Sequence, residues 1–296
     1  MLSKILLIPF ALIAFGTESY GFDLRSLIEK IPQTKEFLGH ADNPQKKEKQ
    51  GLPKLGNDFE SCKSYFFKGK PPIVKNSVSL KARPICFEGF ATLYSGANKI
   101  PIFSAEVMNR AKLSPDKHQE RTNLFFEDAR LPRADRSTLK DYNGSGFDRG
   151  HNFPAGNSST PEAMAQSFSL ANIMPQAPNN NRQLWEGYES ATRKYVKRAQ
   201  GDVYVITGSI VDSENCTLGF ALSGDMSPQH DVKNCTIGNG VKVPTYIYKV
   251  VFDSSTFKAW AYWTINADDQ KAGPPISYTK IVQRTGIDFF PGTSLN

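Results

Sequence analysis

The sequence has little of what builds metal-rich or membrane-embedded proteins. Its 296 residues include four cysteines and four histidines, with no Cys-x-x-Cys pair. Zinc sites usually draw on closely spaced cysteines and histidines, so zinc binding is the less favoured use of these residues. After the first 21 residues no stretch is apolar enough to span a membrane, and no internal repeat is found. We therefore expect a globular chain with no stable membrane insertion once the N-terminal segment is removed.

The N-terminus has the layout of a secretory signal peptide. Lys4 precedes an unbroken apolar run, ILLIPFALIAF at 5–15, and small residues follow in AFG and SYG. The run is short for a membrane span, and small residues are typical before a signal-peptide cleavage site. The pattern predicts a signal peptide over 1–21, cleaved after Gly16 or Gly21, and therefore a protein exported to the periplasm or secreted. An uncleaved N-terminal anchor is the alternative.

Two regions follow this segment. Residues 22–57 include the stretch HADNPQKKEKQGLPKLG, which is polar, basic and interrupted by proline and glycine. Such a composition is typical of a solvated linker, so we predict a polar basic N-terminal extension. Residues 58–296 carry the apolar patterns of regular structure and are predicted to form one domain.

The cysteines favour disulfides rather than free thiols. An even number in an exported chain indicates two bridges, for which three pairings exist. The most local pairing joins Cys62 to Cys86 and Cys216 to Cys235.

The charge balance is basic. Lysine and arginine number 36 against 29 aspartates and glutamates, which gives a net charge of +7, and the pI is about 9.1. An excess of positive charge favours an acidic partner, such as nucleic acid, an anionic membrane or a polyanionic glycan. A merely basic secreted protein would show the same balance, so charge alone does not decide between them.

Strand patterns lie on both sides of a helical middle. The only long helix pattern runs from about 180 to 198. Apolar, β-branched and aromatic residues alternate or cluster in the stretches that we predict as strands. These stretches are 84–95, 99–108, 202–211, 243–253 and 257–266, and the last two form a predicted hairpin around SST. Strands that flank a helical segment indicate an α+β domain.

The stretch GSGFDRGHNFPAGN, at 144–157, carries the first candidate chemistry. It places Arg149 two residues before His151 among four glycines, which allow tight turns and the close approach of a ligand. A neutral imidazole is an effective general base near neutral pH, and a guanidinium can bind a phosphate with two hydrogen bonds. A base beside a phosphate clamp points to phosphodiester hydrolysis.

The predicted helix has two stripes. At roughly 100° per residue, one stripe is apolar and is expected to face the core. It consists of Leu184, Tyr188, Ala191 and Tyr195. The other stripe combines an amide, a carboxylate and a guanidinium, and consists of Asn181, Trp185, Glu189 and Arg193. Taken alone, the second stripe is also explained by a solvated face with an i,i+4 ion pair between Glu189 and Arg193.

Three motifs in order give the sequence a family resemblance. They are DRGH at 148–151, NIMPQ at 172–176 and NNNRQLWEGYESATR at 179–193. With a tryptophan four residues after the asparagine, this order and spacing resemble the DNA/RNA non-specific endonucleases of the ββα-metal type. That family includes secreted bacterial sugar-nonspecific nucleases and mitochondrial endonuclease G. The resemblance extends over roughly residues 85–291, through ITG, VPTYIYKVV and TGIDFFP. It implies an α+β fold with a central, mostly antiparallel sheet, flanking helices and long catalytic loops.

The resemblance also implies a two-part catalytic site. His151 matches the general base that activates water, Asn181 the direct ligand of a divalent metal, and Glu189 the carboxylate that holds the metal's water shell. The expected ion is Mg²⁺, with Mn²⁺ as a substitute, because a hard, hydrated ion needs only few protein oxygens. Three arginines complete the expected catalytic set: Arg149 and Arg193 match phosphate-contacting residues, and Arg121 matches an upstream arginine that stabilises the charged phosphorane.

Further residues are expected to support the site or to bind substrate. The supporting residues are Asp148, which looks structural, Gly150 and Asn172. The substrate-binding residues are Arg182, Lys194 and Lys197. Other basic residues could form a groove or serve only as surface charges, namely Arg130, Arg133, Arg136, Lys140 and Arg198.

The expected function is therefore an exported, divalent-metal-dependent endonuclease. It would hydrolyse DNA and RNA with little sequence preference and leave 5′-phosphate ends. The sequence has no zinc finger, basic zipper or RNP motif for reading bases, and phosphate contacts carry no sequence information. The alternatives are a catalytically inactive nucleic-acid-binding protein on the same scaffold, or a phosphodiesterase for smaller substrates. Whether the chain forms a homodimer is left open.

Overall fold

A seven-stranded antiparallel sheet forms the centre of the fold. The computed structural model describes residues 58–114, 117–212, 214, 230–231 and 235–295. Its central sheet has the strand order β1-β2-β3-β6-β10-β11-β12, and all six neighbouring pairs are antiparallel. The strands are β1 (Ala82–Cys86), β2 (Phe90–Ser95), β3 (Ile100–Met108), β6 (Val203–Ile210), β10 (Tyr246–Asp253), β11 (Lys258–Ile265) and β12 (Ile276–Ser277). The predicted strands at 99–108, 202–211, 243–253 and 257–266 and the predicted hairpin between β10 and β11 are confirmed, whereas the stretch 84–95 divides into the end of β1, a turn and β2.

Two smaller sheets accompany the central one. β4 (Asp148–His151) pairs antiparallel with β5 (Ile173–Gln176), and this hairpin-like pair contains the DRGH motif. The third sheet joins β7 (His230–Asp231), β8 (Thr236–Ile237) and β9 (Val241–Lys242).

Helices lie between and after the strands. They are α1 (Leu139–Tyr142), α2 (Pro161–Ser167), a π-helix (Asn180–Trp185), α3 (Glu186–Val196) and α4 (Tyr278–Thr285). Short 3-10 turns occur at Glu60–Tyr65, Phe67–Gly69, Ala155–Asn157 and Leu170–Asn172. The predicted helix over 180–198 is confirmed, with the refinement that its first part is a π-helix. The α+β, mostly antiparallel architecture expected from the sequence is therefore correct.

The two faces of the central sheet carry different packing. Along β10, Tyr248, Val250 and Phe252 belong to the largest apolar cluster, together with Phe103 and Phe289. Alternate residues of the same strand point to the opposite face, where Val251 packs with Val196 at the end of α3. One face is thus a plain apolar core, and the other supports α3.

The face under α3 carries a buried polar row. The strand registers place Thr92, Ser104, Thr207, Lys249 and Tyr262 side by side across β2, β3, β6, β10 and β11. Thr92 and Ser104 hydrogen-bond at 2.8 Å, and the Lys249 ammonium donates to Thr207 Oγ1 at 2.6 Å. Buried polar groups are stable only when they are paired, so these bonds fix which elements can pack above the row.

The first predicted disulfide is confirmed. Cys62 and Cys86 are bonded, which ties the segment before β1 to the end of β1. The second predicted pair includes Cys216, which lies outside the described residues, as do the predicted signal peptide over 1–21 and the extension over 22–57. Among the described helices, none has the length and apolar character needed to cross a membrane.

Two glycine-to-alanine substitutions should have opposite effects on stability. A Cβ at Gly208 in β6 would lie 2.3 Å from both the Ile102 carbonyl oxygen and the Tyr248 hydroxyl, which donates to that carbonyl at 3.2 Å. Gly208→Ala should therefore lower the free energy of unfolding by about 2–3 kcal/mol. At Gly187 in α3 a Cβ meets nothing within 4 Å, so Gly187→Ala should raise it by ~0.5–1 kcal/mol through helix propensity. Urea unfolding measures both, and equal stabilities would contradict the close packing at Gly208.

Candidate active site

The β4–β5 pair presents the DRGH motif because Gly150 has no side chain. A Cβ at Gly150 would lie 2.1 Å from Gln176 Oε1 and 2.6 Å from Gln176 Cβ on the paired strand. Gln176 is fully buried, and its Nε2 donates to Asn180 Oδ1 at 2.9 Å, which links β5 to the π-helix. The supporting residue Gly150 thus lets the motif approach the start of the helix.

His151 is a buried imidazole between two aromatic rings. Its ring lies 5.0 Å from Phe168 and 5.5 Å from Phe125, and the residue is only 9% exposed. Nε2 is buried and has no hydrogen-bond partner among the described residues. Burial, with a smaller contribution from the Arg121 charge, lowers the pKa of His151 to about 3. The ring is therefore neutral near neutral pH, and one nitrogen stays free for a ligand.

Two arginines stack on the same aromatic pair. The Arg149 guanidinium lies 4.4 Å from the Phe125 ring centre, and the Arg121 guanidinium lies 5.0 Å from that of Phe168. Arg149 and His151 are two positions apart on β4 and so project to the same side. Arg121 also donates from Nε to Asn123 Oδ1 at 2.6 Å. The structure thus brings the three residues together around Phe125 and Phe168.

Asp148 orients the start of the π-helix. Its carboxylate accepts from Asn181 Nδ2 at 2.9 Å and from the Arg182 guanidinium at 2.8 and 2.6 Å. The Asn181 amide nitrogen is therefore occupied, and its oxygen is the atom that remains to act as a ligand. Arg182, expected to bind substrate, is held in an ion pair with Asp148. These contacts are compatible with the structural role predicted for Asp148.

The π-helix places two neighbouring asparagines in different surroundings. Asn180 is buried, and its Nδ2 donates to the Ile265 carbonyl at 2.9 Å. Asn181 is half-buried and turns toward Asp148. A π-helix is an irregular turn that often occurs at functional sites. Here it anchors one amide in the scaffold and presents the next.

Glu189 and Arg193 lie on the following turns of α3. The Arg193 guanidinium is 3.7 Å from Glu189 and equally 3.7 Å from the more exposed Glu186. It also donates to Asn157 Oδ1 at 3.2 Å. Burial raises the pKa of Glu189, while the positive charges of Lys249 and Arg193 oppose that shift. The carboxylate therefore depends on nearby cations to remain ionised.

Several expectations from the sequence need correction. Ala191 is exposed, whereas Tyr188, Thr192 and Val196 are buried, so the core stripe of α3 steps by four residues. Steps of three and of four residues from Tyr188 both end near the same helix face, and the packing selects Thr192 rather than Ala191.

Two of the basic residues that could have formed a groove make other contacts instead. Arg130 pairs with the buried Asp128 at 2.6 Å and stacks on Phe87 at 4.3 Å, so it serves the scaffold. Arg136 lies 3.6 Å from Glu127. Lys194 and Lys197 are exposed on α3 and its C-terminal end, as a surface role requires.

Asn172 supports the site from the side of the central sheet. Its fully buried amide accepts from Ser104 at 2.9 Å and from the Phe153 backbone at 2.8 Å, and it donates to the carbonyls of Phe153 and Ser167. All these partners belong to the scaffold. Asn172 therefore attaches the β4–β5 pair to β3.

The sequence reasoning missed three polar residues beneath the site. Glu106 on β3 and Lys249 on β10 are buried, and Asn157 lies between Glu106 and Arg193. One signal was available: a charged residue stands inside each of the apolar runs FSAEVM and YIYKVVF. Charged residues are almost never fully buried unless they are paired, so these two pointed to a buried polar site.

The donor set fits a hard, hydrated cation. Among the described residues, no group of three or more His, Cys, Asp or Glu side chains could hold a metal. The candidate donors are the Asn181 amide oxygen and the Glu189 carboxylate. Oxygen donors of this kind suit Mg²⁺ or Mn²⁺ rather than zinc.

Comparisons with known proteins bear on the family and the fold. A family model described as DNA/RNA non-specific endonuclease matches residues 69–296. Nuclease C1 of Cunninghamella echinulata var. echinulata is 30% identical over 69% of this chain and 81% of its own length. Nuclease EXOG, mitochondrial, of Homo sapiens is 31% identical over 56% of this chain and 43% of its own length. The chain spans about half the length of the mitochondrial relatives it matches.

A solved structure shares the fold. The crystal structure of the EndoG/EndoGI complex contains a chain that matches with a TM-score of 0.60 and 22% identity, over 80% of this chain and 92% of that one. At this identity the likeness establishes the fold, which is the α+β, ββα-metal arrangement expected from the motifs.

The predicted location is wrong. The N-terminal pattern predicted a protein exported to the periplasm or secreted. Relatives whose names give a location are mitochondrial: Nuclease 1 of Schizosaccharomyces pombe, and EXOG and endonuclease G of Homo sapiens. An apolar run records the hydrophobicity of a segment and not the compartment to which the segment is sent.

The depressed pKa of His151 should be visible in solution. An unfolded histidine titrates near ~6.5, whereas the folded ring titrates at about 3. Between these values only the unfolded chain binds the proton, so this group's contribution to stability is complete above pH ~6.5 and is lost as the pH falls toward 3. The imidazole NMR signals, assigned with His151→Gln, should stay those of a neutral ring down to about pH 4. The variant should also lose stability less steeply over this window, and an imidazole that titrates near pH 6 would contradict the burial.

Proposed function

The chain belongs to the DNA/RNA non-specific endonuclease family, and on that premise we propose that it hydrolyses phosphodiester bonds in DNA and RNA with the aid of a divalent metal. The observation that carries the proposal is the pairing of a neutral, partly unsatisfied His151 with cationic and oxygen donors. Arg121 acts electrostatically on both His151 and Glu189, so the two halves of the site lie within range of one another.

His151 acts as the general base. Its free Nε2 accepts a proton from the water that attacks the phosphorus. In the free protein the Arg121 charge helps to hold the ring neutral. A bound phosphate neutralises Arg121 and brings negative charge close to the ring, which raises the basicity of the imidazole when substrate is present.

The arginines bind and stabilise the phosphate. Arg121 and Arg149 flank His151, and their stacking on Phe168 and Phe125 limits their motion. Positive charge that is already in place stabilises the extra negative charge of the pentavalent transition state without reorganisation. Arg193 adds a third guanidinium from α3, on the side of Glu189.

Asn181 and Glu189 would hold the divalent cation, with Mg²⁺ or Mn²⁺ as the ions that fit oxygen donors. Asp148 fixes the Asn181 amide through its nitrogen and so leaves the oxygen available as a ligand. Glu189 would order the water around the cation. When bound, the cation neutralises negative charge on the scissile phosphate and on the leaving oxygen. The expected products carry 5′-phosphate ends.

Substrate breadth follows from charge. The chain has a net charge of +7, and Lys194 and Lys197 are exposed on and just after α3. Such residues contact phosphates, which are common to every sequence and to both DNA and RNA. The base-paired or single-stranded state of the substrate should therefore matter less than its polyanionic character.

A digest is the direct test of this function. The purified protein should degrade plasmid DNA, single-stranded DNA and RNA with Mg²⁺ or Mn²⁺, and EDTA should stop the reaction. Binding in a gel shift without cleavage would favour the inactive nucleic-acid-binding alternative. Preference for small phosphate esters over polymers would favour the phosphodiesterase alternative.

Substitutions test the assigned residues. His151→Ala should lower kcat by roughly 10²- to 10⁴-fold, the usual contribution of a general base. Asn181→Ala should lower the rate and raise the metal concentration that gives half-maximal activity. Asn239→Ala removes an exposed amide in the turn between β8 and β9 and should leave both quantities unchanged. Full activity in His151→Ala, or an unaltered metal titration in Asn181→Ala, would remove that residue from its role.

A further inference from the structure

Three ionisable side chains are buried together between the central sheet and α3. Lys249 on β10 is fully buried, and Glu106 on β3 is 4% exposed. The Glu189 side chain on α3 is 16% exposed. Lys249 donates to Thr207 and acts electrostatically on both carboxylates. The base, the metal donors and the phosphate contacts described above do not use Glu106, although a buried carboxylate is costly to maintain.

A continuous chain of contacts leads from Glu106 to the site. Asn157 Nδ2 donates to both carboxylate oxygens of Glu106, at 2.9 and 3.0 Å. The other end of the same amide, Oδ1, accepts from Arg193 Nη1 at 3.2 Å. The same Nη1 lies 3.7 Å from Glu189 Oε2. Each member thus sets the orientation of the next.

We propose that Glu106 is a positioning residue, which fixes Arg193 and through it Glu189 by orienting the amide of Asn157. This inference rests on the proposed nuclease function, in which Arg193 contacts phosphate and Glu189 orders the water around the cation.

Arg193 needs such a constraint because it bridges two carboxylates of different exposure. Nη1 lies 3.7 Å from Glu189 and Nη2 lies 3.7 Å from Glu186, which is far more exposed, at 60% against 16%. The hydrogen bond to Asn157 holds Nη1 on the side of Glu189. Without it, Arg193 is free to follow Glu186 into solvent, where the guanidinium is better hydrated. Phosphate contact and the placement of Glu189 would then both be lost for part of the time.

Charge strengthens this arrangement and gives it a pH dependence. The charged groups around Glu106 are Lys249 from β10, Lys112 from the segment after β3, Glu189 from α3 and, through Asn157, Arg193. Burial raises the pKa of Glu106 to about 7, against the opposing charge of Lys249. Burial also raises the pKa of Glu189, and bound substrate raises the basicity of His151, so a loss of activity near pH 7 is assigned to Glu106 only by comparing Glu106→Gln with the unaltered protein.

Two variants test the proposal in the full chain, with polymeric DNA and Mg²⁺. Asn157→Ala breaks the chain of contacts without removing a buried charge, and Glu106→Gln removes the charge while keeping the shape. Each should lower kcat about ten- to a hundredfold, as expected for a misplaced charged group, with a smaller change in KM. Asn109→Ala is the matched control, because Asn109 lies just past β3 and donates to the carboxylate of Asp202 at 2.9 Å. Its side-chain oxygen accepts only from the backbone of Lys112 among the described residues, so the substitution leaves the Lys112 side chain and the Asn157–Arg193 contact in place. It should leave kcat unchanged.

Two further measurements separate positioning from general stability. In an Arg193→Ala background, Asn157→Ala should have almost no further effect on kcat, because no guanidinium remains for Asn157 to hold. The effects of the two single substitutions on kcat should therefore not add. In Glu106→Gln the acid limb of the kcat profile should shift, whereas in Asn109→Ala it should stay in place. Thermal unfolding of every variant identifies any loss that is due to unfolding, and Asn157→Ala keeps the test available if Glu106→Gln does not fold.

The failure of this inference is distinct from failure of the proposed function. If the unaltered protein does not cleave DNA or RNA, the nuclease proposal is wrong. If it cleaves, but folded Asn157→Ala and Glu106→Gln match its kcat, the positioning role of Glu106 is wrong while the function stands. Additive losses in the Asn157→Ala, Arg193→Ala pair would likewise overturn it.

Discussion

A buried ammonium sets the conditions that the rest of the site has to meet. Lys249 is fully buried on the central sheet, 5.4 Å from the ring centre of Trp185, and donates a hydrogen bond to Thr207. An ammonium removed from water costs several kcal/mol unless opposite charge lies nearby. Burial lowers the pKa of Lys249, and the carboxylates of Glu189 and Glu106 raise it. α3 and β3 are therefore stable together only in an arrangement that brings the Glu189 and Glu106 carboxylates within electrostatic range of the Lys249 ammonium.

The β4–β5 pair is attached to this floor by amides rather than by charges. Asn172 bonds to Ser104 in the polar row, and Asn152 donates to the Thr207 carbonyl at 3.2 Å. Both bonds lead back to strands that flank the buried charges. The general-base half of the site and the metal half thus share one foundation in β3, β6 and β10. This shared foundation explains how a short two-stranded sheet holds His151 in place, although the sequence on both sides of β4 is rich in glycine.

The sequence predicted what depends on neighbours along the chain. The strands, the 180–198 helix and the DRGH motif are local patterns, and they identified His151 as a candidate, while the family resemblance added Asn181 and Glu189. The proximity of Glu106 and Lys249 was missed because it depends on the sheet order β3-β6-β10, and Asn157 was missed because it meets Glu106 across 51 positions of sequence. Ala191 was misplaced because steps of three and of four residues from Tyr188 both end near the same helix face, and only the packing selects Thr192. The sequence left open whether Arg130 lines a groove or is a surface charge, because its contacts with Asp128 and with the Phe87 ring form only in the folded chain.

The two buried carboxylates differ in a way that separates support from chemistry. Both oxygens of Glu106 accept hydrogen bonds from Asn157, so its demand for donors is met inside the protein. Within the described part of the chain, Glu189 has the 3.7 Å contact with Arg193 and electrostatic help from Lys249 and Arg121. An added cation or ordered water stabilises a carboxylate with few hydrogen bonds, such as Glu189, more than one whose oxygens already accept hydrogen bonds, such as Glu106. The same burial therefore makes Glu106 a fixed part of the scaffold and leaves Glu189 ready to bind.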